Sequence, residues 1–344
     1  MNFISVIGYG WTGSSAYVEL LKEFNGVGAF PGEFRIAKDP HGLAYLEESL
    51  VHNWDFVGND IAIKNFIEYC EMLSRDTGIF KKAGKNFTKK LDVNFMELTK
   101  DFIDNLTDMS YIGDSSLHRY KISALKYFYM RIRTKYSEYD YNNSTKMYLS
   151  RPSDKKFITE SRKYINNLFS SYARQNGIDT IVLDQAISPT NIVKTSSYFE
   201  NIKIIIVDRD PRDIYTNLAK RNVLFGADIN KNNSSKKYIK WHLKLRELSI
   251  NDVINSTKIP ILRVNFEDLI YDYKNTIGKI NDFVGNDKYH KYQYKNFNPE
   301  SKYAKNNVGM WKKYSNQKVM AEILEELPEY CYTSSHYYYT IKFN

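Results

Sequence analysis

The stretch Phe3-Ile-Ser-Val-Ile-Gly8-Tyr-Gly10-Trp11-Thr12-Gly13-Ser14-Ser15 constrains this chain more than any other. An apolar, β-branched run meets a turn with three glycines, and a helical stripe follows at once: Ala16, Tyr17, Leu20, Leu21 and Phe24 recur on one face. Strand, glycine turn and helix in that order make a cradle for an anion. Glycines let backbone N–H groups converge, and the helix start adds partial positive charge. A nucleotide-type ligand is therefore expected within the first fifteen residues. The spacing Gly8-x-x-x-x-Gly13-Ser14-Ser15 is that of a phosphate-binding loop without its lysine. A kinase or ATPase needs that lysine on the β- and γ-phosphates, so the loop points away from both. The plain alternative is a tight turn between strand and helix.

The same alternation continues. Thr180–Leu183, Lys203–Val207 and Ile259–Val264 are short, continuous apolar runs. The second leads into Asp208-Arg209-Asp210-Pro211-Arg212-Asp213 and a helix to about Arg221. Continuous apolar strands alternating with helices predict a parallel sheet covered on both faces. Between them, residues 55–175 read as helix-like and polar, with segments at Asn65–Arg75, Phe95–Leu106 and Leu117–Tyr136 and a loop at Asn142–Ser144. The expected fold is α/β: a P-loop-like three-layer α/β/α arrangement with a central parallel sheet. It is read as one domain over 1–344, with a large helical insertion at 55–175 that shapes an acceptor pocket; the alternative is that this stretch forms a separate domain.

Composition narrows the function. The formal charge is +9, which favours anionic partners. The lysines are spread along the chain with no arginine-rich block, so nucleic acid is not the expected partner, although the 29 tyrosines interleave with lysine. No run approaches the length of a membrane span and none resembles a secretory leader. A soluble, cytoplasmic protein is expected. Cys70 and Cys331 lie far apart and suggest neither a disulfide framework nor a metal cluster.

Two further segments carry chemistry. Arg209 falls at the carboxyl end of a strand, where open α/β sheets bind ligands and an arginine clamps a phosphate bidentately. Pro211 suits the first helical turn and Asp213 its positive end. Arg212 reads as a surface ion pair with a neighbouring aspartate. Late in the chain, Lys305-Asn306-Asn307-Val308-Gly309-Met310-Trp311-Lys312 offers close backbone approach at Gly309, positive charge, and an indole able to stack on a flat base.

Taken together and in this order, these segments resemble the sulfotransferase family that uses 3′-phosphoadenosine 5′-phosphosulfate. The piece Ile261–Leu269, continuing to Gly285, resembles that family's strand and acidic helix start. The resemblance implies sulfuryl transfer to a hydroxyl of a carbohydrate or other small acceptor, with no metal. Residue by residue, it implies a 5′-phosphosulfate loop at Gly10, Trp11, Thr12, Gly13, Ser14 and Ser15. It implies 3′-phosphate contacts at Arg209 and Asn217, and a closing segment at Lys305, Asn306, Gly309, Trp311 and Lys312. Family members commonly carry lysine or arginine where this chain has Trp11. Either another cation reaches in, with Lys194 the named substitute, or the donor or chemistry differs, or transfer is lost. That last reading makes the chain a nucleotide-binding protein of the same fold. Pro31-Gly32-Glu33-Phe34-Arg35 resembles the segment that supplies the base in tyrosylprotein sulfotransferases, and Glu33 is the candidate base. Its bland reading is a salt bridge to Arg35. His41 and His52 are reserve bases. Asp184, at the end of the Ile181–Leu183 run, is a further site candidate or a turn cap.

Overall fold

The structure is a computed structural model, and it describes residues 1–77, 83–113, 122–136, 145–221, 234–255, 258–285, 290 and 293–333. The expected loop at Asn142–Ser144 and the start of the Leu117–Tyr136 segment lie outside them. The chain forms two compact units, one of residues 1–37 with 173–344 and one of 38–172.

The first unit is built on five parallel strands in the order β2-β5-β1-β6-β7. They are β1 (Asn2–Gly8), β2 (Val27–Glu33), β5 (Thr180–Asp184), β6 (Ile202–Asp208) and β7 (Ile261–Asn265). Helices flank the sheet. The apolar runs are continuous because both faces are covered. Ile4, Val6, Ile205 and Val207 pack under Tyr17, Leu20 and Leu21 of helix α1 (Ser14–Leu21). On the opposite face, Phe3 meets Phe199 edge-on at 5.4 Å between ring centroids. Each such side chain contributes about 1.5–3 kcal/mol on full burial. β1 lies between β5 and β6, and the chain crosses from one side of it to the other. Its carboxyl end is the switch point at which open parallel sheets bind ligands.

β2 is a strand that the sequence reading missed. Its Gly28, Pro31 and Gly32 interrupt the apolar pattern. Proline is tolerated because β2 forms the edge of the sheet, where one side of the ladder needs no donor.

The second unit is mainly helical, with α2 (Leu43–Glu47), α3 (Phe56–Ser74), α4 (Phe87–Leu91), α5 (Phe95–Leu106), α6 (Ala124–Tyr136) and α7, which starts at Asp154. Its core is aromatic: Phe102 stacks on Tyr164 at 4.8 Å and contacts Phe66 at 5.7 Å. Within the stretch read as helix-like, β3 (Met109–Gly113) and β4 (Thr145–Leu149) form an antiparallel pair. Met109 and Ile112 are exposed, so β3 lacks the alternation that marks a half-buried strand. Among the described residues no helix is long and apolar enough to cross a membrane.

Candidate functional site

At the carboxyl edge of the sheet, β1 runs into the turn Tyr9–Gly13. The backbone there is left-handed at Gly10, Trp11 and Gly13, with φ of 90°, 56° and 89°. Glycine tolerates this conformation, whereas Trp11 adopts it at a cost of about 1–3 kcal/mol. A Cβ on Gly13 would lie 2.3 Å from the Phe266 ring, so the turn closes against β7's exit only with glycine there. Gly13 caps α1 without a side-chain acceptor, so no side chain caps the first backbone N–H groups of the helix. Thr12 is buried, and its Oγ1 has no hydrogen-bond partner.

The turn is braced from behind. Arg263 donates to the Tyr9 hydroxyl at 3.2 Å, and the Arg246 guanidinium lies 3.7 Å from the Tyr9 ring centroid. Both arginines also donate to Asp208, the last residue of β6. Burial opposes the Asp208 charge, but the two guanidiniums outweigh it and hold the carboxyl below its ordinary pKa.

Arg209 follows β6 and reaches across to the turn. Its Nη1 donates to the Trp11 carbonyl at 3.0 Å, and its Nη2 donates to the Asn307 carbonyl. The guanidinium lies 4.9 Å from the Phe266 ring. Burial works against its charge and lowers its pKa from the ordinary value, and Nε is left without a partner. One side chain thus joins the first turn, the end of β6 and the late segment.

These pieces line a cleft of about 460 Å³. Trp11, Gly13 and Ser15 come from the turn and α1. Arg209 and Asn217 come from the end of β6 and from α9 (Pro211–Arg221). Ser301, Tyr303 and Asn307 come from the late segment. Arg221 also lines it. Sequence reasoning missed this residue, although it lies four positions after Asn217 and so on the same helical face.

The other expected residues are placed as follows. Gly10 and Thr12 belong to the turn, and the Ser14 hydroxyl accepts from Gln185 Nε2 at 3.0 Å. The Lys305 ammonium pairs with Glu300, and Asn306 ends the short helix Lys302–Asn306. Gly309 and Trp311 donate their backbone N–H groups to Asp213 at 2.7 and 2.9 Å. This pins the late segment to α9, a role the sequence reading did not give Asp213. Burial raises the Asp213 pKa. Gly309, Trp311 and Lys312 line a neighbouring cavity of about 330 Å³ rather than the cleft. The Arg212 guanidinium covers the Trp311 ring at 3.9 Å. Arg212, read from sequence as a surface ion pair, is buried, and its Nη2 holds Asp210 at 2.6 Å.

Glu267 closes the back of this region. Its Oε1 accepts from the Asp210 N–H at 2.9 Å, and Oε2 has no partner. Burial pushes its carboxyl up to about 8, so it is largely protonated at neutral pH.

Glu33 ends β2, two strands from β1, in register with Asp184. Its side chain is 46% exposed and faces Arg35 at 3.3 Å. Lys194 lies on α8 (Ile192–Ser196). Neither is among the cleft-lining side chains. His41, with φ of 64°, and His52 belong to the second unit.

No family model matches this chain. No curated protein matches its sequence. Solved structures with a similar chain course include the sulfotransferase domain from the curacin biosynthetic pathway, at 10% identity and a TM-score of 0.45, covering 95% of this chain and 97% of that one. The sulfotransferase domain of the Synechococcus PCC 7002 olefin synthase aligns at 12% identity and a TM-score of 0.41, covering 94% of each chain. Sulfotransferase STF9 from Mycobacterium avium aligns at 10% identity and a TM-score of 0.34, covering 94% of this chain and 76% of that one. These likenesses assign no role to any residue.

Proposed function

We propose that this chain is a sulfotransferase that moves a sulfuryl group from 3′-phosphoadenosine 5′-phosphosulfate to a hydroxyl of a carbohydrate or other small acceptor. One observation carries the reading. A single cleft at the switch point of the sheet gathers the glycine turn, Arg209 and the Ser301–Asn307 segment. The turn and Arg209 are pieces that the sequence resemblance assigns to one doubly anionic nucleotide; of its closing segment, Lys305, Asn306, Gly309, Trp311 and Lys312 do not line the cleft, and Ser301, Tyr303 and Asn307 from the same stretch take their place.

The residues suit that ligand. The uncapped start of α1, with Ser14, Ser15 and the unpartnered Thr12 hydroxyl, offers donors to the 5′ end. Arg209 and Asn217 offer charge and an amide to the 3′-phosphate, and Arg221 adds a second guanidinium. In the reaction an acceptor oxygen forms a bond to sulfur as the bond from sulfur to the 5′-phosphate oxygen breaks. The phosphate leaves with the electron pair, and the acceptor proton passes to a base. Glu33 is the proposed base, acting from the carboxyl end of β2. The protein's part is in-line positioning and stabilisation of the leaving oxygen's charge.

Trp11 supports a second reading, a nucleotide-binding protein of this fold without sulfuryl transfer. Trp11 lines the cleft at the position where a cation assists the leaving phosphate in the family the sequence resembles. The deciding experiment incubates the chain with sulfur-labelled donor and a panel of hydroxylated acceptors, while the spent donor, adenosine 3′,5′-bisphosphate, is titrated separately. Label transfer abolished in Glu33→Gln supports the transferase with Glu33 as base. Tight nucleotide binding with no transfer to any acceptor supports the second reading.

A further inference from the structure

The second unit brings together three ligand-bearing side chains that the donor reading does not use. Helix α2 ends at Glu47, and the chain continues into a π turn over Glu48–His52. Asn53 N–H closes that turn onto the Glu48 carbonyl at 2.7 Å. Side chains three or four apart face each other on an α-helix. The wider π turn shifts that relation toward five, and such turns cluster at functional sites. Here it brings His52 back over Glu47, with Nε2 3.0 Å from Oε1. Asp154, the first residue of α7, supplies a third group. One ligand atom from each of Glu47, His52 and Asp154 lies within 4.8 Å of the others.

The chemistry of the set is specific. Two bonds of about 2.1 Å to one tetrahedral ion span about 3.4 Å, so the 3.0 Å between Nε2 and Oε1 needs to open by only a few tenths of an ångström. An imidazole nitrogen with two carboxylate oxygens selects a borderline dication over calcium or magnesium, which take oxygen ligands almost alone. Glu47 is 5% exposed in its side chain and fixed by its helix, whereas His52 is 44% exposed and Asp154 is open to solvent. The site thus has a rigid floor and an open side where water completes the coordination. Counting cysteines could not reveal it, because it contains none.

We propose that Glu47, His52 and Asp154 bind one transition-metal dication of the Zn²⁺ type, and that the ion ties the start of α7 to the π turn. The site is structural and independent of the donor reading.

The test uses the full chain, treated with chelator, freed of it, and titrated with ZnCl₂ by calorimetry and by thermal unfolding. The expected result is one saturable site of micromolar or tighter affinity and a rise in melting temperature. Both are lost, the affinity at least tenfold, in His52→Ala and in Asp154→Asn. Circular dichroism and the melting temperatures of the chelated variants check that each keeps the metal-free fold. The absence of saturable binding overturns the proposal. So does equal affinity in the variants, or binding with no effect on melting.

Discussion

Glu267→Gln isolates the cost of a buried acid in the cavity beside the cleft. The side chain is 1% exposed, one oxygen accepts from the Asp210 N–H, and the other has no partner. Desolvation is the main cause that lifts its carboxyl to about 8, from an ordinary 4.5. A raised carboxyl binds its proton more tightly in the folded chain than in the unfolded one. Stability from this group is therefore complete below about pH 4.5 and is lost as pH rises toward about 8. Each pH unit in that window costs up to about 1.4 kcal/mol, so the whole window amounts to a few kcal/mol. Glutamine keeps the shape and the acceptor for Asp210 but does not titrate. Urea unfolding of the two proteins from pH 5 to pH 8.5 is the assay. The curves should nearly coincide at pH 5, with the variant more stable by about 2–4 kcal/mol at pH 8.5. Parallel curves across the range would contradict a raised Glu267, because they would mean that its carboxyl is ionised and satisfied throughout.

Three other substitutions test the site's construction. Gly13→Ala forces a Cβ into a left-handed residue 2.3 Å from the Phe266 ring, and should cost about 2 kcal/mol or more in denaturant unfolding. Asp213→Asn leaves one of the Gly309 and Trp311 N–H groups without its acceptor. Affinity for adenosine 3′,5′-bisphosphate should fall about tenfold, while the midpoint of unfolding falls by about 1–2 kcal/mol in free energy. Arg221→Gln removes a cleft cation without a buried partner set. Bisphosphate affinity should drop about tenfold and its salt dependence should flatten, with stability unchanged within about 0.5 kcal/mol.

Much of this architecture is written locally. The runs in β1, β5, β6 and β7 are apolar on both faces because helices cover both, and such strands need no long-range information to recognise. β2 was hidden by Pro31 and its glycines, which an edge position permits. β3 was hidden by exposure, since Met109 and Ile112 bury against nothing that would impose a pattern. In the site, Trp11, Gly13, Ser15, Arg209 and Asn217 could be named from sequence because each sits at a fixed offset from a strand end. Asp213 could be given only its local role at the helix start. Its function as the anchor of Gly309 and Trp311 depends on a contact across almost a hundred residues. Trp311 illustrates the same limit. An indole followed by lysines reads as a stacking surface, yet Arg212 covers its face. Glu267 was visible only as an acidic helix start, because burial, which sets its chemistry, is a property of the packed chain.

In the proposed function, the turn after β1, Arg209 and the late segment hold one doubly phosphorylated adenosine. Calorimetric titration of adenosine 3′,5′-bisphosphate into the unmodified chain and into Arg209→Ala tests it most directly. One saturable site in the micromolar range is expected, weakened at least a hundredfold by the substitution. No saturable heat with the unmodified chain, or equal affinity in the two proteins, would contradict it.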